Sequence, residues 1–205
     1  MRVPPDDDHP RTGLLLVISG STAAGKTTIG REIAGRLDCA IHIDGDVIQD
    51  LVVSGSIRME VPPPPGALDQ LRLRFRAALA VANLYRDAGF DAILSDNLFG
   101  EEARRFLAVA LDVHRSRSVH FVMLNPTIEA IRDRYCQRPG GGYTPTLTPQ
   151  VLNQAVEQTI HVGLWLDTSH QTAEETALDI LQQLGHAAVA PEELSPRTRL
   201  SQPSV

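Results

Sequence analysis

Of the 19 basic side chains only Lys26 is a lysine, and it stands inside Gly20-Ser21-Thr22-Ala23-Ala24-Gly25-Lys26-Thr27. That run fits G-x-x-x-x-G-K-[ST]. A compositional bias toward Arg, Ala and Pro accounts for the arginine excess but not for where the one lysine survives. A compact ammonium inserts between phosphate oxygens where a planar guanidinium does not. The glycines let the backbone bend sharply and approach an anion, and successive N–H groups with the positive end of a helix complete an anion cradle. On this reading the residues from Gly20 to Thr27, with Thr28 beside them, surround the phosphates of ATP or GTP. Lys26 then bridges the terminal phosphates and the Thr27 hydroxyl is a ligand for Mg²⁺. The alternative is a small-residue turn with a chance lysine.

Binding phosphates does not say what happens to them. Ile41-His42-Ile43-Asp44-Gly45-Asp46 puts two carboxylates at the end of a short strand. In a parallel sheet the carboxyl ends of the strands line the ligand crevice. One carboxylate there can order water around Mg²⁺, and the other can accept the proton of a hydroxyl attacking the γ-phosphate. Asp46 is the candidate base and Asp44 a candidate metal residue; either could instead cap the helix that follows. Ser95-Asp96-Asn97 closes another aliphatic strand on the same edge. Asp96 is a candidate for holding the metal or its water, or for contacting the substrate, against a plain surface turn. Farther on, Arg132, Arg134 and Arg138 crowd a helix end before Gly140-Gly141-Gly142. A movable arginine stabilises the charge spread over a transferring phosphoryl group, so Arg138 is the first choice for a lid contact and Arg134 the second. A solvated helix face is the other reading. His42, His114, His120 and His161 lack metal-ligand spacing and are read as structural, and Cys136 is assigned no chemistry.

The elements that must position these groups are legible in the hydrophobic pattern. Residues 13–19 (GLLLVIS) form a continuous aliphatic run of strand length, and residues 27–37 show helical spacing at Ile29, Ile33, Ala34 and Leu37. Strands follow at 40–43, 90–94, 119–124 and 163–166, alternating with helices at 46–53, 67–88, 101–113, 127–137, 149–161 and 172–184. Thr172 and Glu175 predict a capping box on the last helix. Residues 54–66 hold four consecutive prolines and form an irregular connection; 138–148 is a Gly/Pro-rich loop. The pattern predicts an α/β domain at 12–185, a mostly parallel sheet covered on both faces, between a disordered stretch at 1–11 and a flexible tail at 186–205.

Composition bounds the rest. In 205 residues, 42% are hydrophobic and 21% charged, which suits one folded domain rather than a disordered chain. The longest aliphatic run is far short of the roughly 20 residues that span a bilayer. Asp6-Asp7-Asp8 occupies the place of a secretory leader's basic and apolar segments. Two cysteines, Cys39 and Cys136, make no disulfide framework, so a reducing cytoplasm is expected. A net charge of −6 argues against nucleic acid or an acidic membrane as partner.

GSTAAGKT, the DGD after the second strand, the acidic end of the third and the R-x-R-x-x-x-R-P segment together resemble the P-loop small-molecule kinases. That group includes gluconate, shikimate and adenylylsulfate kinases, chloramphenicol phosphotransferase and the zeta-toxin kinases. The resemblance runs over about residues 13–184 and implies a P-loop NTPase fold: a five-stranded parallel sheet, a substrate-covering segment at 47–88 and a lid at 138–148. It implies that Lys26 and Thr27 are the phosphate and Mg²⁺ residues and that Asp46 activates the acceptor hydroxyl. Leu166-Asp167-Thr168-Ser169 looks like the closing strand and adenine-side loop, which brings Thr168 to the nucleotide. The chain departs from sugar-acid and shikimate kinases in its long insertion before residue 66. It also lacks the arginines that a carboxylate or a monophosphate would need there, Arg58 being alone before Arg72. The expected activity is phosphorylation of a hydroxyl on a small molecule, with a bulky, weakly charged antibiotic or other secondary metabolite favoured. A nucleoside, nucleotide or sugar-acid kinase is the alternative, and a nucleotide-binding switch without transfer activity is the alternative of another class.

Overall fold

The first strand is buried at every position, which is why its sequence runs aliphatic without alternation: β1 (Leu15–Gly20) is the middle of a sheet with helices on both sides. The computed structural model describes residues 13–113, 118–136 and 143–195. Four further strands, β2 (Ala40–Asp44), β3 (Asp91–Ser95), β4 (Val119–Leu124) and β5 (Leu164–Leu166), join in the order β2-β3-β1-β4-β5. All pairings are parallel; Val17 lies level with Leu94 on one side and Phe121 on the other, and Asp44 lies level with Ser95. This register brings the ends of β1, β2 and β3, and so Gly20, Asp44 and Ser95, to one edge of the sheet.

Helices fill both faces. α1 (Lys26–Ala34) and α7 (Ala173–Gln182) cover one, where Ile29, Ile33, Ala177 and Ile180 pack on Leu16, Ile18 and Val122. α3 (Ala67–Asp87), α4 (Gly100–Val113) and α6 (Pro149–Glu157) cover the other, with Phe75 and Phe106 meeting edge to face at 5.9 Å. α2 (Gly45–Asp50) and α5 (Ile128–Cys136) are short and stand at the carboxyl edge. The Thr172–Glu175 capping box of α7 is present in both of its hydrogen bonds. No helix among the described residues is long and apolar enough to cross a membrane.

Residues 186–195, expected to belong to a flexible tail, pack on the domain instead. Single turns at Leu184–Ala187 and Pro191–Leu194 bury Ala187, Val189 and Leu194. The Val189 amide donates to the Val119 carbonyl at 2.9 Å, and Arg104 reaches the Leu194 carbonyl. Three apolar residues scattered among Pro and Glu carry no period, yet each finds a gap beside β4 or α4. The expected disordered stretch at 1–11, and residues 196–205, lie outside the described residues.

Candidate active site

β1 ends in a loop whose backbone is held open by three positive φ angles: 151° at Gly20, 67° at Ala23 and 100° at Gly25. Gly25 caps α1 in that left-handed conformation, which an L side chain rarely adopts, so the helix can begin directly at Lys26. The Lys26 ammonium donates to the Ser21 carbonyl at 2.8 Å, folded back over its own loop. The Ser21 hydroxyl is buried and has no hydrogen-bond partner among the described residues. A cavity of about 680 Å³ opens above, lined by Thr22, Ala23, Gly25, Lys26, Thr27 and Thr28, with Asp44, Asp46 and Asp96 across from them. A helix start and an ammonium facing one hollow suit an anion with several oxygens.

The Asp44 carboxylate has two partners. Its Oδ2 accepts from the Thr27 hydroxyl at 2.8 Å, and its Oδ1 accepts from the Asp46 amide at 3.0 Å as the cap of α2. The two readings of Asp44, cap or metal residue, are therefore compatible in one side chain. A hydroxyl beside a carboxylate is the hard oxygen donor set that Mg²⁺ takes alongside phosphate oxygens and water. Among the described residues no group of three or more His, Cys, Asp or Glu could hold a metal by itself.

Asp96 is placed differently from a surface carboxylate. It is 3% exposed at the end of β3. Its Oδ1 accepts from Arg74 Nη2 at 2.6 Å and from the Asn97 amide at 2.7 Å. Its Oδ2 has no partner among the described residues and lies against Gly45, where a Cβ would stand 1.9 Å away. Burial outweighs Arg74 and pushes the carboxyl up to about 6. The surface-turn alternative for Asp96 is overturned. Arg74, its ion-pair partner from the middle of α3, carried no signal beyond helical spacing.

Arg134 reaches the phosphate cavity, but its guanidinium donates to the carbonyls of Ala24, Thr168 and Gln171 and to the Thr168 hydroxyl. It ties the phosphate loop to the loop after β5, where Thr168 is buried. Arg138, the first choice for the lid, lies outside the described residues, as does all of 137–142. Tyr143 just beyond was not singled out by the sequence: its hydroxyl donates to the Thr22 carbonyl at 2.8 Å, and its ring meets Tyr135 at 4.6 Å. Burial, with Tyr135 beside it, pushes that hydroxyl up to about 12, so it stays a donor. The histidines take structural places: His42 pairs with Ser95 at 2.9 Å, His120 bonds the Leu184 carbonyl and His161 stacks on Trp165. Burial holds His42 and His120 below the usual imidazole value. His114 lies outside the described residues. Cys39 and Cys136 are free thiols.

A second cavity, of about 960 Å³, adjoins the first. α2, the 52–63 connection, α3 and α6 enclose it, and Ile48, Leu51, Val52, Ile57, Met59 and Leu71 make its wall largely aliphatic. Arg58 and Glu60 face it, and Tyr143 closes one side. Thr22, Asp46 and Asn97 line both cavities, so exposed Asp46 stands at the seam between them.

No protein-family model and no curated protein sequence matches the chain. Solved structures do. An APS kinase of Mycobacterium tuberculosis, in complex with AMPPNP and APS, superposes with a TM-score of 0.65 at 16% identity, over 86% of this chain and 99% of that one. A sugar kinase from Janibacter sp. HTCC2649 gives 0.61 at 21% identity, over 90% and 99% of the two chains. The tunicamycin resistance protein of Deinococcus radiodurans gives 0.58 at 18% identity, over 87% and 99%. The fold is that of the P-loop small-molecule kinases. At these identities the likeness shows the fold alone.

Proposed function

We propose that this protein is an ATP- or GTP-dependent phosphotransferase that moves the γ-phosphate to a hydroxyl of a bulky, largely apolar small molecule. The observation that carries the reading is the position of Asp46, the exposed carboxylate that lines both the polar cavity over the phosphate loop and the aliphatic cavity beside it. An acceptor seated in the second cavity presents its hydroxyl to Asp46 at the mouth of the first. Asp46 accepts the hydroxyl proton while the acceptor oxygen bonds to the γ-phosphorus and the bond to the β–γ bridging oxygen breaks. Lys26 leaves the Ser21 carbonyl for the phosphates and offsets their charge. Thr27, with Asp44 behind it, would hold Mg²⁺, which when bound neutralises charge on the phosphate oxygens. Arg134 and Thr168 fix the loop on the nucleoside side.

The acceptor class follows from the wall. A sugar acid or a nucleoside monophosphate carries a negative charge that calls for converging cations. Among the described residues of the aliphatic cavity the arginines are Arg58 and Arg74, and Arg74 is already bound to Asp96. The tunicamycin resistance protein among the fold neighbours supports an antibiotic or similar metabolite as acceptor, and the sugar kinase neighbour supports the sugar-acid alternative. Two measurements test the reading. Asp46→Asn is expected to lower turnover by at least about 100-fold while leaving nucleotide affinity within about twofold. A panel of apolar alcohols, gluconate and nucleosides is expected to show turnover of the apolar members; selective turnover of the sugar acid or a nucleoside would overturn the acceptor assignment.

A further inference from the structure

Asp46 is only as useful as the turn that carries it, and that turn is six residues long. An isolated helix of this length is not stable in water, so its geometry must be imposed from outside. Three contacts impose it. The Asp44 carboxylate caps the Asp46 amide. Gly45 is buried against the Asp96 carboxylate, so closely that any Cβ would collide with Oδ2. Gln49, three residues after Asp46 and therefore over the same turn, accepts through Oε1 from Arg74 Nη1, while Arg74 Nη2 holds Asp96 Oδ1 at 2.6 Å.

Neither oxygen of Asp96 is open to a ligand: Oδ1 has two donors and Oδ2 is pressed on backbone. The ion pair is not arranged for stability either. Arg74 Nε and Asp96 Oδ2 are both buried without a partner among the described residues, and each such atom opposes folding. A buried ion pair of this kind is weak support for stability; fixing one geometry is what remains for it to do. We infer that Asp96, Arg74 and Gln49 form a brace between β3, α3 and α2 that holds Asp46 at the seam of the two cavities, with Arg74 and Gln49 as positioning residues.

The inference deepens the kinase reading, and its test separates the two. Gln49→Ala removes the hydrogen bond between the brace and α2 while leaving the Asp96–Arg74 pair and the Gly45 packing in place. The expected result is a kcat lower by about tenfold, since small misplacements of a reacting group are expensive, with the acceptor KM and the nucleotide Kd within about twofold. Gln49 also faces the aliphatic cavity, so a raised KM at unchanged kcat would make it an acceptor contact and overturn the brace. In Gln49→Ala the further change Arg74→Lys should add almost nothing, whereas additive losses would show that the two act separately. Amide hydrogen exchange needs no substrate: it should speed up at least about tenfold over residues 46–51 of Gln49→Ala and stay unchanged in α7. Unaltered exchange in α2 overturns the brace, whatever the turnover. If no acceptor is phosphorylated by the unaltered protein, the kinase reading falls and the exchange measurement alone decides the brace.

Discussion

Thr27 Oγ1 and Asp44 Oδ2 stand 2.8 Å apart, so the hydroxyl that follows the phosphate-loop lysine is tied to the carboxylate that caps α2. One side chain thus couples the nucleotide side of the site to the turn bearing Asp46. Thr27 and Asp44, the residues that would hold magnesium under the proposed function, already face each other, which lowers the rearrangement needed on binding.

Thr27→Ala removes the hydroxyl and leaves the Asp44 cap intact. Calorimetric titration with ATP is expected to show affinity falling about tenfold with magnesium present and little without it. Equal losses under both conditions would remove Thr27 from the metal. Asp44→Ala should cost about 1 kcal/mol of stability in addition, through the lost cap.

Tyr143 links the two cavities from the other side, its ring on the aliphatic cavity and its hydroxyl on the Thr22 carbonyl. A neutral hydrogen bond of this kind contributes about 1 kcal/mol. Tyr143→Phe keeps the ring, so acceptor affinity for the nucleotide-free protein should hold. The gain in acceptor affinity on adding a non-hydrolysable nucleotide should shrink by about fivefold. An unchanged gain would reduce Tyr143 to cavity wall.

Arg86 tests the scaffold instead of the site. It is completely buried at the end of α3 and donates to the carbonyls of Gly13 and Ser118 and to Asn83. Arg86→Met would take the donor from the buried Gly13 carbonyl, and those of half-buried Asn83 and exposed Ser118, at about 2 kcal/mol. Urea denaturation should show that loss, with nucleotide affinity of the folded protein unaltered.

What the sequence made legible was local. Residues 13–19 read as a buried strand because every position is apolar, and Thr172 with Glu175 read as a cap because both partners lie within one turn. Lys26 and Asp46 could be put forward as candidates because each belongs to a motif contiguous in the chain. Arg74–Asp96 and Tyr143–Thr22 are 22 and 121 residues apart, and nothing in their neighbours marks them. Arg134 was expected as a cation over the phosphates; its place as a clamp on carbonyls was not legible, because its partners come from the loop after β1 and the loop after β5. Val189 and Leu194 were hidden for a similar reason: single apolar residues among Pro and Glu acquire meaning only when β4 and α4 supply the gap.

The buried Asp96 carboxyl gives a pH signature whose direction is fixed by its surroundings. Burial raises it from 3.8 to about 6, against the pull of Arg74. A raised folded-state value means that folding favours the protonated form, so this group's contribution is most favourable below about 4, declines between about 4 and 6, and levels off above. Glu102, Asp167 and Glu175 run the other way, since hydrogen bonds from Arg72, Ser169 and Thr172 hold them below the ordinary carboxylate range. The total stability curve therefore mixes both signs, and Asp96 is isolated by comparison with Asp96→Asn, which does not titrate. Loss of the Arg74 partner offsets the whole curve of the variant by a nearly constant amount. On that offset, the stability of the unaltered protein minus that of Asp96→Asn should fall as pH rises from about 4 to 6 and then stay flat. Urea unfolding at half-unit pH steps would read it, and a difference that rises over the same interval would mean that Arg74, not burial, governs the charge of Asp96.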